Sequence, residues 1–370
     1  MDRQEIAMTI AGGGTGGHLF PGIAIAEELL KRNPANRVLF IGTNRGLEKK
    51  ILGGLGFALE TINVEGLKGR GPLRVFTSLL KIPGSLLDSL RIIRIFKPDI
   101  VVGVGGYASG PAVLAARIMG IKTVIAEQNA VPGLTNRILG RFVERIFVTF
   151  AKSQTLFPAG KTVVTGNPIR AAFLSGGKAV RKEGQPFTVL IFGGSQGAGA
   201  INQMVMDSLG SLAHLREKIC FIHQTGERDR QAVEQAYQKK GFTAEVHPFI
   251  IEMAAAYNRA DLLVCRAGAT SIAEITAVGK AAVLIPLPSA AGDHQTKNAA
   301  LLADAGAAEM LPEKDIDGNR LASAIERLYM DPDALRKMEV ASASLGNKNA
   351  AAAIINIIFD EILNIISNRR

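Results

Sequence analysis

The chain has few of the residues that hold small secreted proteins and metal centres together. It contains two cysteines, Cys220 and Cys265, without C-x-x-C spacing, which argues against a disulfide framework and a cysteine-ligated zinc site. Both cysteines lie in apolar runs, so we expect buried, reduced thiols and a reducing compartment. The charged start, MDRQEIAMTIAGGG, leads into a predicted core strand and is unlike a signal peptide.

Long apolar runs and aromatic residues are also scarce. No segment has the ~20 uninterrupted apolar residues of a membrane span, since the candidate at 350–370 is broken by Asn356, Asp360, Glu361 and Asn364. We expect that segment to form an amphipathic helix on a domain, and the protein to be cytosolic. Aromatic residues make up 5% of the chain, and the lack of a stacking platform or recognition module argues against nucleic-acid binding.

Basic residues outnumber acidic ones, and the net charge of +10 favours anionic partners such as phosphorylated substrates. A length of 370 residues, with 47% hydrophobic residues and 40 glycines, suits two α/β domains with buried sheets. Strand-like runs alternate with helical patterns, which predicts a mostly parallel sheet in each half. The predicted strands lie at 6–11, 38–41, 100–104, 123–126 and 145–148, and at 188–192, 219–223, 245–249, 262–265, 281–285 and 308–311.

The two halves are joined at Gly166-Asn167-Pro168, because Asn-Pro interrupts regular structure and few apolar residues surround it. We therefore place one domain at 1–168 and a second at 169–348. Each half opens on a strand, a glycine-rich turn and a helix, which is typical of phosphate-binding domains.

The first of these turns, GGGTGGH, matches a dinucleotide fingerprint only in part. Gly12, Gly14 and Gly17 fit G-x-G-x-x-G, but that fingerprint also requires an acidic residue at the end of the next strand. The next strand, VLFIGTNR at 38–45, supplies none. Arg45 could hold a 2′-phosphate, so an NADP-dependent oxidoreductase stays an alternative.

The same turn is a good phosphate cradle. Glycines before a helix aim bare backbone N–H groups and the positive end of the helix dipole at an anion. His18 follows the last glycine, in the first helical turn, where the dipole favours a neutral imidazole. Such a histidine can remove a proton from an attacking hydroxyl. The alternative is a histidine that only hydrogen-bonds the turn.

Other polar, glycine-rich segments also end predicted strands, where ligands bind to parallel sheets. They are VVGVGGYASGP at 101–111, AEQNAVPG at 126–133, GGSQG at 193–197 and CRAGATSIAEI from 265. In the last of these a helix N-terminus suits a diphosphate, and Glu274, one turn beyond Thr270, could bind two ribose hydroxyls. The alternative is a capping box formed by Ser271 and Glu274.

Together, six ordered motifs resemble those of the MurG family, the N-acetylglucosaminyltransferases of peptidoglycan synthesis. They are GGGTGGH at 12–18, GVGGYASGP at 103–111, EQNAVPGLTN at 127–136, GNPIR at 166–170, GGSQGA at 193–198 and CRAGATSIAE at 265–274. The resemblance implies an α/β protein of GT-B fold: two Rossmann-like, doubly wound parallel-sheet domains facing a cleft. It also implies that a C-terminal helix, 349–370, joins the first domain.

The implied reaction is inverting transfer of N-acetylglucosamine from UDP-GlcNAc to the 4-hydroxyl of the N-acetylmuramyl sugar of lipid I, forming lipid II. Both substrates are anionic, in agreement with the net charge of +10. Another UDP-sugar enzyme of the same fold, such as a UDP-GlcNAc epimerase, stays an alternative.

The resemblance also assigns roles to single residues. His18 is the candidate catalytic base, Ile250 lies by the uracil, Glu274 holds the ribose, and Gln295 contacts the sugar hydroxyls. The positions implied for the donor are Thr15, Gly16, Gly17, Asn129, Arg170, Ser195, Ile250, Ala269, Thr270, Ser271, Ile272, Ala273, Glu274 and Gln295. The positions expected around the acceptor diphosphate are Gly13, Gly14, Gly105, Gly106, Tyr107 and Ser109.

A basic, apolar segment provides a candidate membrane surface, since lipid I lies in a membrane. Residues 67–98 carry seven basic side chains and one acidic one, interleaved with apolar residues, a pattern that suits the surface of anionic lipid. The alternative is a core helix with solvated charges. With the family resemblance we expect peripheral contact with the cytoplasmic face of the bacterial membrane through Leu73, Arg74, Val75, Phe76, Leu79, Leu80 and Lys81.

Two Asp-x-Asp sequences resemble the metal-binding motif of metal-dependent glycosyltransferases. They are Asp315-Ile316-Asp317 and Asp331-Pro332-Asp333. Both flank a predicted helix, where aspartates serve as caps and turn residues. We therefore expect neither a metal nor another cofactor.

Overall fold

The computed structural model describes residues 5–13, 16–43, 46–64, 82–175, 184–194, 196–315 and 317–364. The chain divides into two compact units, Met1–Arg170 with Lys348–Arg370, and Ala171–Asn347. In the described ranges each unit has one parallel sheet, of seven strands in the first and six in the second. The predicted class, two doubly wound parallel-sheet α/β domains, is confirmed.

The first unit winds outward in both directions from its first strand, in the order β3-β2-β1-β4-β5-β6-β7. Such an order reverses the winding between β1 and β4, and ligands bind beyond the carboxyl ends of the strands at that point. The strands are β1 Ala7–Gly12, β2 Arg37–Thr43, β3 Ala58–Ile62, β4 Ile100–Gly105, β5 Lys122–Glu127, β6 Arg145–Val148 and β7 Thr162–Val164. The helices are α1 Gly16–Arg32, α2 Gly46–Gly54, α3 Ile82–Phe96, α4 Ser109–Ile118 and α5 Leu134–Leu139.

Helices cover both faces of this sheet, and the strand residues alternate between two cores. Val102 and Val104 of β4 lie in one buried cluster, whereas Val101 lies in the other, as the two-residue period of a strand requires. Strands buried on both faces read as continuous apolar runs, which made β1, β2, β4, β5 and β6 visible in the sequence. The two outer strands, β3 and β7, were missed because their residues are mostly exposed or half-buried.

The second unit repeats the winding in the order β10-β9-β8-β11-β12-β13, with its reversal between β8 and β11. The predicted strand at 245–249 is shifted: β10 starts two residues earlier and ends before Pro248, which cannot donate to a ladder. The strands are β8 Phe187–Phe192, β9 Ile219–Gln224, β10 Thr243–His247, β11 Leu262–Cys265, β12 Ala281–Leu284 and β13 Glu309–Met310. The helices are α6 Ala171–Ser175, α7 Gly199–Ser208, α8 Arg230–Lys240, α9 Met253–Arg259, α10 Ala269–Val278, α11 His294–Asp304, α12 Gly318–Met330 and α13 Pro332–Ser344.

The end of the chain packs on the first unit. Helix α14, Ala350–Ile357, contacts α1, and Ile354, Ile355, Ile358 and Ile362 are buried in the core that α1 shares with the sheet. The expected α-helix at 349–370 differs in its second part, because Ile358–Ile362 form a π-helical turn. Ile358 and Ile362, at the two ends of that turn, are both buried. Residues 365–370 lie outside the described ranges.

The cysteines are both free, but only Cys265 is buried. Cys220 is half-exposed because it alternates along β9 with Ile219 and Phe221, whose side chains fill the core on the opposite face. Within the described ranges, the structure contains no helix that is both long enough and apolar enough to cross a membrane.

Candidate functional site

Two glycine turns pack against each other at the carboxyl ends of β1 and β4. Gly13 and Gly106 have positive φ angles of 148° and 81°. A Cβ atom on Gly106 would overlap the carbonyl oxygen of Gly13, and one on Gly12 would lie 2.5 Å from a methyl of Val104. Both turns therefore require glycine for close backbone approach. The predicted Gly14 and Thr15 lie outside the described residues.

His18 lies against the second of these turns and has a defined tautomer. Its Nδ1 atom is 3.1 Å from the carbonyl oxygen of Val104 and 3.2 Å from Oε1 of Gln128. Since both neighbours are acceptors, Nδ1 carries the hydrogen and the neutral ring keeps its lone pair on Nε2. The Gln128 amide is itself oriented, because its Nε2 donates to the carbonyl oxygen of Ala126 at 3.2 Å. An imidazole held in this way is a competent proton acceptor.

A buried carboxylate shapes the loop after β5. Glu127 is 3% exposed, and its side chain accepts hydrogen bonds from the backbone N–H groups of Asn129 and Gly133, at 2.9 and 3.1 Å. It also accepts from Nδ2 of Asn136 at 2.9 Å. These bonds fix the loop that carries Gln128 and Asn129 beside the glycine turns.

Sequence reasoning missed a second carboxylate at this edge of the sheet. Glu48, on α2, is 3% exposed, and it accepts hydrogen bonds from the N–H and the hydroxyl of Thr43 at 2.8 and 3.1 Å. A Cβ atom on Gly13 would lie 2.5 Å from Oε1 of Glu48. Glu48 lies five residues beyond the end of β2, and its carboxylate is engaged by Thr43. Its place in the first turn of α2 does not by itself distinguish it from an ordinary polar residue.

Three further predicted residues of the first unit differ in their surroundings. Ser109, at the start of α4, is fully buried, and its hydroxyl has no hydrogen-bond partner in the described part of the chain. Tyr107 is 37% exposed. The guanidinium of Arg170 stacks on the ring of Phe20, in α1, at 4.0 Å from its centroid, a cation–π contact. This contact ties Arg170 to the helix that carries His18, Gly16 and Gly17.

The second unit has a matching pair of turns at the carboxyl ends of β8 and β9. Gly197 and Gly226 have φ angles of 75° and 81°. A Cβ atom on Gly197 would overlap the carbonyl oxygen of Thr225, and one on Gly226 would overlap that of Gln196. Ser195, predicted to bind the donor, lies outside the described residues.

Gln224, the last residue of β9, links this turn to the loop after β10. Its Nε2 donates to the carbonyl oxygen of Gly194 at 2.7 Å, and its Oε1 accepts from the N–H of Ile250 at 2.8 Å. Ile250, predicted to lie by the uracil, is thereby held at the backbone, and its side chain is half-buried. Sequence reasoning did not single out Gln224.

The helix predicted to bind a diphosphate begins without a side-chain cap. Gly268 is the N-cap residue of α10, and the first bond of the helix runs from the N–H of Ile272 to Gly268. The first N–H groups of a helix lack partners within the helix, and the start of α10 can in this way face an anion. The alternative of a Ser271–Glu274 capping box is wrong, since Ser271 is already the third helical residue. Ile272 and Ala273 are mostly buried.

Three further side chains of this region lie on α10 itself and on α11. Glu274 is 6% exposed. Gln295, in α11, accepts a hydrogen bond on Oε1 from the N–H of Leu287 at 3.0 Å, so its Nε2 remains a donor for a hydroxyl. Asn298, one turn further along α11, is fully buried and donates to the carbonyl oxygen of Ala267 at 3.2 Å.

A buried polar network supports the β9 turn from behind. The ring of His223 faces Oδ1 of Asn202 through Nε2 and the hydroxyl of Tyr237 through Nδ1, each at 3.1 Å. Asn202 in turn donates to the carbonyl oxygen of Thr225 at 2.9 Å. Because Asn202 presents an acceptor, His223 carries its hydrogen on Nε2 and accepts from Tyr237 on Nδ1. Burial lowers the pKa of His223 to about 3 and raises that of Tyr237, so both groups are neutral.

The Asp-x-Asp sequences are helix caps, as predicted. Asp317 accepts from the N–H of Arg320 at the start of α12, and Asp331 accepts from that of Ala334 at the start of α13, each at 2.9 Å. Among the described residues, no cluster of three or more His, Cys, Asp or Glu side chains could hold a metal ion.

Comparisons with known proteins connect both units to one family. The sequence models of the glycosyltransferase family 28 N-terminal and C-terminal domains match residues 8–148 and 188–355. A relative from Syntrophus aciditrophicus (strain SB), named UDP-N-acetylglucosamine--N-acetylmuramyl-(pentapeptide) pyrophosphoryl-undecaprenol N-acetylglucosamine transferase, is 60% identical over 353 residues, which cover 95% of this chain and 98% of the relative. The crystal structure of Acinetobacter baumannii MurG matches with a TM-score of 0.72 and 33% identity, covering 95% of this chain and 99% of that one. The chain belongs to the MurG family.

Membership in the MurG family makes the chain a glycosyltransferase of peptidoglycan synthesis, and not the oxidoreductase that the fingerprint alone left open. The structure of UDP-GlcNAc 2-epimerase from Neisseria meningitidis bound to UDP-GlcNAc also matches, with a TM-score of 0.66 over 96% of this chain and all of that one, at 14% identity. At that identity the likeness is one of fold. The predicted membrane residues, at 73–76 and 79–81, lie outside the described ranges.

Proposed function

We propose that the chain transfers N-acetylglucosamine from UDP-GlcNAc to the 4-hydroxyl of the N-acetylmuramyl sugar of lipid I, with inversion, and so forms lipid II. The observation that carries the proposal is the state of His18. Its Nδ1–H is engaged by Val104 and Gln128, which leaves the Nε2 lone pair for the proton of the acceptor hydroxyl. The relationship to the MurG family supplies the substrates.

In this mechanism the acceptor lies on the first unit. Its diphosphate binds the backbone N–H groups of the paired turns at Gly13–Gly14 and Gly105–Gly106, with Tyr107 and Ser109 beside them. The buried, unpartnered hydroxyl of Ser109 is a donor that supports this assignment, since a buried hydroxyl without a partner is costly. His18 removes the proton as the 4-hydroxyl attacks the anomeric carbon of the donor.

The donor lies mainly on the second unit. The uracil binds beside Ile250, the ribose hydroxyls bind Glu274, and the sugar hydroxyls bind Gln295. The diphosphate binds Ser195 and the start of α10, from Ala269 to Ala273. As UDP leaves, negative charge grows on its β-phosphate, and the uncapped N–H groups of α10 stabilise that charge without reorganising. The first-unit positions proposed for the donor are Thr15, Gly16, Gly17, Asn129 and Arg170.

Access to lipid I requires peripheral contact with the cytoplasmic face of the membrane. The residues proposed for this contact are Leu73, Arg74, Val75, Phe76, Leu79, Leu80 and Lys81. The helix that follows them, α3, supports the proposal because Leu87 and Ile95 are 66% and 73% exposed, and Arg91 and Arg94 are exposed beside them. An exposed apolar and basic helix face suits anionic lipid.

One assay tests the reaction: UDP release from UDP-GlcNAc, measured with and without a soluble lipid I analogue and with and without EDTA. We expect release that requires the analogue and a product extended by one N-acetylglucosamine. Conversion of UDP-GlcNAc alone into its epimer would instead assign the chain to the epimerases.

Replacing Phe76 and Leu79 by Ser tests the membrane contact separately. Sedimentation with anionic vesicles should fall, and turnover of the soluble analogue should not change.

A further inference from the structure

The side chain of Gln224 bonds the segments that follow both neighbouring strands of the second sheet. It is the last residue of β9, which lies between β8 and β10, and it is 2% exposed. Its amide donates to Gly194, in the turn after β8, and accepts from Ile250, in the loop after β10. These two segments are 56 residues apart in the chain and are joined here through a single side chain.

The bond to Gly194 fixes a peptide that an anion would otherwise disturb. The carbonyl oxygen of Gly194 accepts from Nε2 of Gln224 at 2.7 Å and from the N–H of Gly197 at 3.1 Å. Gly194 has a φ angle of 116°, and glycine changes backbone conformation easily. Rotation of this carbonyl toward a bound phosphate would place two negative groups together. Two donors hold the oxygen in its present direction.

The bond to Ile250 fixes the other loop at the same time. The segment before Ile250 is attached to the two residues that follow β9. The N–H groups of Thr225 and Gly226 donate to the carbonyl oxygens of His247 and Pro248, at 2.9 and 3.1 Å. The Gln224 side chain extends this attachment to Ile250, which lies beyond the last backbone bond. The loop position therefore depends on the same amide as the turn.

We propose that Gln224 is a positioning residue that couples the turn for the donor diphosphate to the loop for the donor base. The proposal rests on the proposed function, in which these two segments bind the two ends of UDP. Through Gln224, order imposed on the turn by the diphosphate is transmitted to the base loop, and the nucleoside diphosphate binds more tightly than either end alone would allow.

The chemistry of the amide is specific. Only a side chain with one donor and one acceptor at this spacing can satisfy both Gly194 and Ile250. Leucine, which is apolar and one carbon shorter, makes neither bond. A glutamate accepts from Ile250 in both ionisation states, but it can donate to Gly194 only when it is protonated. Its ionised form also faces the carbonyl oxygen of Gly194 and an incoming diphosphate with a negative charge.

The test is isothermal titration of UDP and of uridine into the full chain carrying Gln224→Leu or Gln224→Glu. For Gln224→Leu we expect the Kd for UDP to rise about tenfold, as for a lost buried hydrogen-bond pair, and the Kd for uridine to rise less. For Gln224→Glu the loss of UDP affinity, expressed relative to wild type at the same pH, should shrink as the pH falls from 8 to 5.5. A residue needed only for folding would not give this pH dependence.

The matched control is Gln203→Leu, which removes an exposed glutamine of the same unit that donates to Asp207 and should leave both Kd values unchanged. Values within twofold of wild type for both Gln224 variants would overturn the proposal, and so would a Gln224→Glu defect that does not vary with pH. If the wild-type chain itself fails to bind UDP, the proposed function fails. The two failures are therefore distinguishable. If Gln224→Leu does not fold, the UDP affinity of Gln224→Glu at low pH still tests the proposal.

Discussion

Gln128 holds His18 in one tautomer, with 3.2 Å between Oε1 of the amide and Nδ1 of the ring. The carbonyl oxygen of Val104, at 3.1 Å from the same nitrogen, reinforces this choice. The arrangement resembles that of other general bases, in which a third group orients the imidazole and leaves the far nitrogen to take the proton. The chemistry assigned to His18 thus depends on a residue 110 positions further along the chain.

Replacing His18 by Ala should remove the base without removing the donor site. We expect kcat with the lipid I analogue to fall by roughly 10²–10⁴, the usual contribution of a general base. The Kd for UDP, measured by titration, should stay within about twofold of wild type because the main donor contacts are proposed to lie on the second unit. Unchanged turnover would remove His18 from the mechanism.

Replacing Gln128 tests orientation of the ring. Gln128→Leu should lower kcat about tenfold, since one buried hydrogen bond to the ring is lost, and should leave the KM for UDP-GlcNAc nearly unchanged. Gln128→Glu places a carboxylate beside Nδ1–H and stabilises the protonated ring. The acidic limb of the pH–rate profile should therefore move to higher pH in Gln128→Glu. A profile identical to that of wild type would show that this contact does not govern the base.

The parts of the site that could be predicted from the sequence are those set by local patterns. A glycine turn, a strand end or a helix start is set by residues that are close together in the chain. The Asp317 and Asp331 caps are equally local, since each bonds an N–H group three residues further along. Gln128 was recognised only as one polar residue of AEQNAVPG, and Gln224 was not found, because their partners lie 26 to 110 residues away in the chain and are brought together by strand order. A buried Glu on a short helix, or a Gln at a strand end, has no local pattern that distinguishes it from an ordinary polar residue.

Gly106→Ala tests the close packing of the two turns that are proposed to bind the acceptor. The new Cβ would overlap the carbonyl oxygen of Gly13 at a φ of 81°, so we expect a loss of at least about 2 kcal/mol in unfolding free energy, with reduced turnover. Gly110→Ala is the matched control. Gly110 lies in helix α4, and the nearest atom to a Cβ at this position would be 3.5 Å away. Scanning calorimetry should show a lower melting temperature for Gly106→Ala and not for Gly110→Ala.

Asp317→Ala separates a helix cap from a metal ligand. The side chain of Asp317 accepts from the N–H of Arg320 at 2.9 Å, and loss of such a cap costs about 1 kcal/mol. We expect that decrease in unfolding free energy with no change in the KM for UDP-GlcNAc. Asp333→Ala, in the second Asp-x-Asp sequence but not at its cap position, should change stability by less than about 0.5 kcal/mol. An activity loss restored by added divalent cation would contradict the capping role.

His223 makes the stability of the second unit depend on pH. Its folded pKa is about 3, against 6.5 for an unperturbed histidine, because it is buried. Above pH 6.5 both states are neutral and the group has no pH-dependent effect. As the pH falls from 6.5 towards 3, only the unfolded chain takes up the proton, so stability decreases by about 1.4 kcal/mol per pH unit.

At pH 4.5 this linkage amounts to about 3 kcal/mol. His223→Gln, which cannot take up a proton, should be less stable than wild type at pH 7.5, because it disturbs the bonds to Asn202 and Tyr237. The difference should narrow as the pH falls, since only the wild-type chain loses stability through this group. Denaturant unfolding at pH 7.5, 6 and 4.5 measures both curves. If the two curves ran parallel over this range, His223 would not be the group that titrates on unfolding.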